Sequence, residues 1–449
     1  MSTQFPQLSR PQVLGLSLWS AGIVLAQRCG LTQVAVVLAY LLNRREAAVR
    51  QQLRDAYRDA ADKAGAKRGD KRRTLEVSTC FAPLLRWVVA LLPPTCQPLA
   101  LAMDATTLGQ RCTVLSIHVV IQGCAIPVAW HIVQATAKGT WRPHWEQLVA
   151  QLDGTVPADW TVTVAADRGL YARWLYHRIT AVGWHPLLRI NRQGTYCPAG
   201  STTFRPLSMV VARGGAPWQG PVTCVATPER QLTCTLLARW DTTYQDPWLI
   251  LTDLPPARAD VAWYGLRAWI ECRDRDLKHD GWRWAQTRMT DPRRAERVWL
   301  VLALATLRVV STGSAAEAAL PAPAPAPLPA THPARRTASG KPAPRRLSCC
   351  HRGRLLLIAA LVTGQDLPQM HLHPEPWPKS LDTHSERPAV AQPHQKAAWQ
   401  KPYTCEDGLT RVEFLGRKPG QGRIPHPPYP LPGFKGGQKM CSRSGALAD

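Results

Sequence analysis

The chain has 449 residues, 45% of them hydrophobic, with 18 tryptophans, which is enough to bury a large core over more than one domain and sets aside a wholly disordered chain. Fifty-five Lys and Arg stand against 31 Asp and Glu, a formal charge of +24, and that excess favours a polyanionic partner because each neutralised phosphate releases condensed counterions. The 13 cysteines are scattered and include no CxxC pair, which speaks against a disulfide framework and for reduced, mostly buried thiols in a cytosolic protein.

No basic segment followed by an apolar run and a cleavage site opens the chain, so no secretory signal is expected. Residues 13–42 are apolar but interrupted by Gln27, Arg28, Thr32 and Gln33, which predicts packed helices and no membrane span. Helix is expected over residues 9–60, with Ser9-Arg10-Pro11 as a start and Cys29-Gly30 as a break. The charged block from Asn43 to Arg73 leaves two readings of residues 1–95: a small helical DNA-binding region of helix-turn-helix type, or a helical cap with a solvated charged face. Leu75–Leu92 is a further amphipathic helix, stopped by Pro93 and Pro94.

The pattern then turns to strands. PLALAMDATTL carries Asp104 at the end of an apolar run, and CTVLSIHVVIQGCAIPVAWHIVQ reads as two strands joined at Gln122-Gly123. A helix around Trp141–Leu152, the strand WTVTVAAD ending on Asp167, the helix YARWLYHRITAVG and the strand HPLLRI complete a mixed α/β layer with helices on the sheet faces. Short β-like pieces separated by Gly and Pro turns fill residues 194–254.

The stretch YGLRAWIECRDRDLK follows. On an α-helix with about 100° per residue, Arg267, Glu271 and Lys278 lie within roughly 60° of Tyr264, while Leu266, Trp269, Ile270 and Leu277 form an apolar stripe opposite. One face is thus anchored, and the other presents an acid among cations and a phenol, a set suited to metal ions and phosphates. The run VWLVLALATL within Arg294–Val310 is too short to span a bilayer and is expected to close the core. Beyond Val310 the composition shifts to an Ala/Pro-rich linker over 311–346, a short helical segment over 347–373, and an irregular Pro-rich tail over 374–449. His371 and His373 have no Cys or carboxylate cluster to complete a metal site and read as tail residues.

Three carboxylates, Asp104, Asp167 and Glu271, therefore sit on two strand ends and a helix, the kind of set that binds two Mg²⁺ ions for an in-line phosphoryl displacement. Asp253 in LILTDL is the rival strand-end acid. Tyr264, Arg267, Glu271 and Lys278 have the Y-x2-R-x3-E-x6-K spacing, and with VAADRGLY around Asp167 the chain resembles the YREK type of bacterial insertion-sequence DDE transposases from about Leu99 to Leu307. The resemblance implies an RNase H-like catalytic domain over 96–310, with a β-rich insertion at about 194–254 before the Glu helix. It implies that Asp104, Asp167 and Glu271 hold two Mg²⁺ or Mn²⁺ ions and that Tyr264, Arg267 and Lys278 hold phosphates, with Arg168 and Arg189 as further phosphate contacts. Trp218, Trp240 and Trp248 become candidates for stabilising a flipped base. The implied activity is cleavage of double-stranded DNA at the element ends and transfer of the 3′-hydroxyl into target DNA by a homodimer in the bacterial cytoplasm, associated with the nucleoid. An RNase H-like nuclease without strand transfer and an inactive DNA-binding descendant are the alternatives, and the Pro-rich tail departs from a compact family ending.

Overall fold

The structure, a computed structural model, describes residues 1–63, 73–94, 97–137, 139–242, 244–319 and 347–378. The N-terminal helices are α1 (Arg10–Ala26), α2 (Leu31–Leu41), α3 (Glu46–Tyr57) and α4 (Phe81–Ala90), the last preceded by a 3₁₀ turn at Val77–Cys80. Pro11 in the first turn of α1 costs no hydrogen bond, and the Gln12 side chain accepts from the Ser9 amide as in a capping box. α3 buries only Val49 and Leu53 and keeps its charges half-buried or exposed.

The sheet begins with β1 (Pro98–Leu108), β2 (Cys112–Ile121) and β3 (Cys124–Gln134), an antiparallel meander. Ile121 pairs with Cys124 across a two-residue turn, which Gly123 permits at a φ of +73°. Next come α5 (Arg142–Gln151), β4 (Thr161–Ala166), α6 (Arg173–Ala181) and β5 (His185–Arg189), with β4 parallel to both β1 and β5. The following segment contributes β6 (Thr195–Pro198), β7 (Arg205–Pro206), β8 (Trp218–Cys224), β9 (Leu232–Arg239) and β10 (Trp248–Thr252). Among the described residues these strands make one ten-stranded sheet in the order β3-β2-β1-β4-β5-β10-β9-β8-β6-β7. Within the β-like pieces expected over 194–254, the stretch FRPLSMVVA forms only the two-residue β7 and a 3₁₀ turn at Leu207–Met209. Pro206 has no N–H for a longer ladder.

The chain closes with α7 (Trp269–Arg275), α8 (Pro292–Ala318) and α9 (Cys349–Val362). α8 is longer than its apolar run: it spans 27 residues and is long and apolar enough to cross a membrane, but 89% of its most apolar window is buried inside the protein. Its last turns, Ser311–Ala318, fall where the Ala/Pro-rich linker was expected to begin. Composition misplaced the boundary because Ser311, Gly313 and Ser314 are small residues that let α9 approach: Gly313 lies against the Cys349 carbonyl and Gly353 against the Val309 carbonyl. Residues 320–346 and 379–449, the remainder of the expected linker and most of the expected tail, lie outside the described residues.

The N-terminal helices pack as a cap on the same core. Buried Arg297 of α8 donates to the Tyr57 and Leu75 carbonyls at 2.9 and 3.1 Å and pairs with Asp59 at 2.6 Å. After α9 the chain returns as a strap. The Leu372 amide donates to the Leu91 carbonyl, the Gln122 amide to the His373 carbonyl, and the Gly123 amide to the Glu375 carboxylate, while Trp377 packs edge-on against Trp263. Residues 371–375, expected as tail, anchor this strap. A meander β3-β2-β1 continued by parallel β4 and β5, with helices on the sheet faces, is an RNase H-like α/β fold whose sheet is extended by β6–β10.

Candidate active site

Register brings the first two acids together. The parallel ladder pairs Met103 with Ala166, so Asp104 and Asp167 are the next residues abreast on adjacent strands. β1 runs on to Leu108, so Asp104 lies inside its strand; what ends there is the partner β4, which leaves that part of β1 open on one edge. Asp104 and Thr106, two apart, share a face of β1. The same face carries Ala100 and Ala102, small residues against which Leu266, Trp269 and Ile270 pack, and this brings the segment bearing Glu271 over the two aspartates.

That segment is not one α-helix. Val261–Ala268 is 3₁₀, Trp269–Arg275 is α, and Asp276–Asp280 is π. Three residues per 3₁₀ turn put Arg267 directly above Tyr264, and the α-turn then puts Glu271 above Arg267. The face is narrower than a uniform wheel implies, and its centre is Arg267. One guanidinium nitrogen, Nη2, lies 2.7 Å from Asp104 Oδ1 and 3.5 Å from Asp167 Oδ2, and Nη1 lies 3.8 Å from Glu271 Oε1. All three acids converge, and they converge on an arginine.

Exposure is graded across the cluster: the side chains of Arg267, Asp104, Asp167 and Glu271 are 12%, 21%, 40% and 53% exposed, so the cation is at the floor and Glu271 at the mouth. Burial pushes the Asp104 carboxyl up from the usual range, and Asp274 and Asp167 add to that push against the pull of Arg267. For Arg267 burial opposes the charge, but Tyr264, Asp104, Asp167 and Glu271 outweigh it and its pKa is raised, so it stays a cation.

A fourth acid, Asp274, was not singled out from sequence. It sits one turn beyond Glu271 and accepts from Thr106 Oγ1 at 2.5 Å, pairs with Arg273 at 2.9 Å and lies 3.4 Å from Lys278. Lys278 also donates to Thr106. Burial opposes the Asp274 charge, but Arg273 and Lys278, with the Thr106 bond, outweigh it and hold its pKa low. Arg273 itself is 2% exposed and packs over the Trp299 ring. Beneath lies fully buried His118, pushed far down first by burial and then by Arg273, so it is neutral and hydrogen-bonded to Ser116 at 2.7 Å. The available signal for Asp274 was its i+3 spacing from Glu271 and i−4 spacing from Lys278.

Tyr264 is buried, edge-on to Trp248 and facing Arg189, whose guanidinium is 6.0 Å from the ring centre. Burial raises the phenol's pKa, so it remains a hydrogen-bond donor. Arg189 lies close to the cluster through Tyr264, and its Nη2 donates to the Pro247 carbonyl. Arg168 points elsewhere, pairing with Asp246 of the β9–β10 loop at 2.9 Å. Trp248 is core, stacked on Tyr244; Trp240 is half-buried, with Arg192 over its ring; Trp218 packs against Tyr196. Asp253 pairs with His185 at the start of β5, the far end of the sheet from Asp167, and is not part of this cluster.

An all-carboxylate donor set suits a hard divalent cation. Among the described residues, however, no three His, Cys, Asp or Glu side chains have ligand spacing, because the carboxylates are spread around a guanidinium. The residue types fit Mg²⁺ or Mn²⁺, and Arg267 supplies the positive charge in this arrangement. A search of curated proteins finds no match to the chain. The family of transposase DDE domains matches residues 96–308, a span that contains β1 to β10, α7 and all three converging acids. By that match and this fold, residues 96–308 are similar to transposase DDE domains.

Proposed function

We propose that the protein cleaves double-stranded DNA at the ends of an insertion sequence and transfers the freed 3′-hydroxyl into target DNA, with Asp104, Asp167 and Glu271 as its metal ligands. The observation that carries this reading is the meeting of three carboxylates from β1, the end of β4 and α7 around one cationic point at the open end of the sheet. Mg²⁺ or Mn²⁺ held by these acids supplies activation of the attacking oxygen and stabilisation of the leaving oxygen in an in-line displacement.

The chain's own cations have a different task. Arg267 and Lys278 already grip carboxylates, and a DNA phosphate is the same kind of partner for both. Tyr264, protonated and set beside Arg267 and Arg189, adds a neutral donor to that grip and belongs to the YREK set. Arg168 and Arg189 extend the basic rim for the strand backbone. A formal charge of +24 supports a DNA partner of this kind, and joining two element ends in one complex calls for a homodimer.

The test uses a supercoiled plasmid carrying the DNA that flanks the coding sequence. Asp167→Asn and Glu271→Gln should each lower Mg²⁺-dependent cleavage by about 10³-fold or more while leaving binding to the same DNA within a few-fold. Cleavage by Glu271→Gln at the wild-type rate removes the assignment, and cleavage without joined products reduces the protein to a nuclease.

A further inference from the structure

Both helices that flank β4 begin at the catalytic end of the sheet. β3 runs parallel to β1, since each is antiparallel to β2, so it ends at that end and α5 starts there; α6 starts there too, directly after Asp167. The two helices lie on the sheet face opposite α7, and between them is an open groove of about 600 Å³. Arg142, Arg173, Trp174, His177 and Arg178 line it, with Glu146 as its acid. On α6 these residues recur at i, i+1, i+4 and i+5, so they form a continuous stripe.

Three arginines against one glutamate make the groove basic, and none of the three is sunk in a buried ion pair. Arg142 is exposed and meets Glu146 at 2.8 Å, while its guanidinium lies over the Trp174 ring at 5.5 Å. Arg173 is exposed, donates to the Glu229 carbonyl and lies 3.4 Å from His177. Arg178 is half-buried at the groove floor, its Nε enclosed. An arginine stacked on tryptophan and a second, exposed arginine beside it are what a phosphate backbone with an adjacent sugar or base face engages.

Resting on the DNA-cleavage reading above, we infer that the α5–α6 groove is a second phosphate-backbone subsite, which takes the duplex after it crosses the sheet rim from the scissile phosphate. The rim supplies the continuity: Arg173 opens α6 only six residues after Asp167. The subsite reads no bases, so it acts on affinity and salt dependence and not on sequence.

The experiment measures fluorescence anisotropy of a labelled 30-bp random-sequence duplex with the full chain across a salt series. Each lost phosphate contact lowers the slope of log K against log salt by about 0.9, so Arg142→Gln/Arg173→Gln/Arg178→Gln should reduce it by about 2 to 3 and weaken binding about 10- to 100-fold near 0.1 M salt. Should the triple variant melt early, Arg173→Gln alone should lower the slope by about one. An unchanged slope in folded groove variants, with binding still weakened by Lys278→Gln, overturns the subsite and leaves the catalytic reading standing. A wild-type chain that does not bind the duplex overturns both.

Discussion

Replacing Arg267 by Gln tests whether this side chain stands in for a metal ion. Its guanidinium nitrogens lie 2.7, 3.5 and 3.8 Å from Asp104, Asp167 and Glu271. A divalent cation drawn to the same carboxylates must enter beside that charge. At a separation of about 4 Å in water, two unit charges repel by about 1 kcal/mol, so a doubly charged ion feels about 2 kcal/mol, equivalent to ~30-fold in affinity. Arg267→Gln should therefore bind Mn²⁺ about 30-fold more tightly in isothermal titration calorimetry, without DNA and without turnover. The metal-free variant should be less stable than wild type by about 3 kcal/mol, since partly buried Asp104 loses its partner and three like charges face one another. Adding 10 mM Mg²⁺ should restore much of that loss in the variant and little in wild type. Equal Mn²⁺ affinity in the two proteins, or a metal-free variant that melts with wild type, would refute the reasoning.

The strap after α9 carries a pH dependence. Burial pushes the Glu375 carboxyl up to about 7, with Glu317 adding and the Gly123 amide opposing. The folded state thus keeps a proton that the unfolded chain releases above about pH 4.3, so the contribution is complete below that pH, falls as pH rises towards 7, and is gone above it. Glu375→Gln should abolish this trend and hold the strap at pH 8 by about 2 kcal/mol more than wild type. Hydrogen exchange at the Gly123 amide, corrected for intrinsic rate, is the readout, and wild-type protection independent of pH contradicts the assignment. At the α8–α9 crossing, a Cβ on Gly353 would lie 1.8 Å from the Val309 carbonyl oxygen, a backbone atom that cannot swing away. Gly353→Ala should cost about 2 kcal/mol or more and release α9 to proteolysis, whereas unaltered resistance would show that the helices can slide apart freely.

The catalytic layer was legible because its periodicities are strong. β2 is buried at every position and β4 at five of six, so each reads as a short β-branched, mostly apolar run, and Gln122-Gly123 marks the turn between β2 and β3. Asp104 and Asp167 were readable as acids at the edge of such runs. Their adjacency was not: it depends on the parallel pairing of Met103 with Ala166, a contact between residues 63 positions apart. Boundaries set by composition failed where packing decides. Ser311–Ala318 looks like the start of a linker, but small residues in a helix are what a close helix crossing needs. The same applies to the strap, whose prolines and histidines disguise a buried Leu372 and an enclosed carboxylate at Glu375.

The organisation of the Tyr264–Lys278 segment shows why spacing and geometry must be read together. A wheel at a fixed angle places four polar groups on one face but ranks none of them. The change from 3₁₀ to α to π along Val261–Asp280 divides them. Tyr264 is turned inward to Trp248 and Arg189, Arg267 takes the centre of the carboxylates, Glu271 stays at the mouth, and Lys278 reaches across to Thr106 beside Asp274. The π segment matters for the last of these, since an extra residue per turn at Asp276–Asp280 resets the phase with which Lys278 meets β1. What such a site must satisfy is charge balance, whatever the helix type. Three carboxylates at one point need compensation, and Arg267 supplies one positive charge where the proposed chemistry calls for divalent cations, so under that proposal metal entry would free Arg267 for a DNA phosphate.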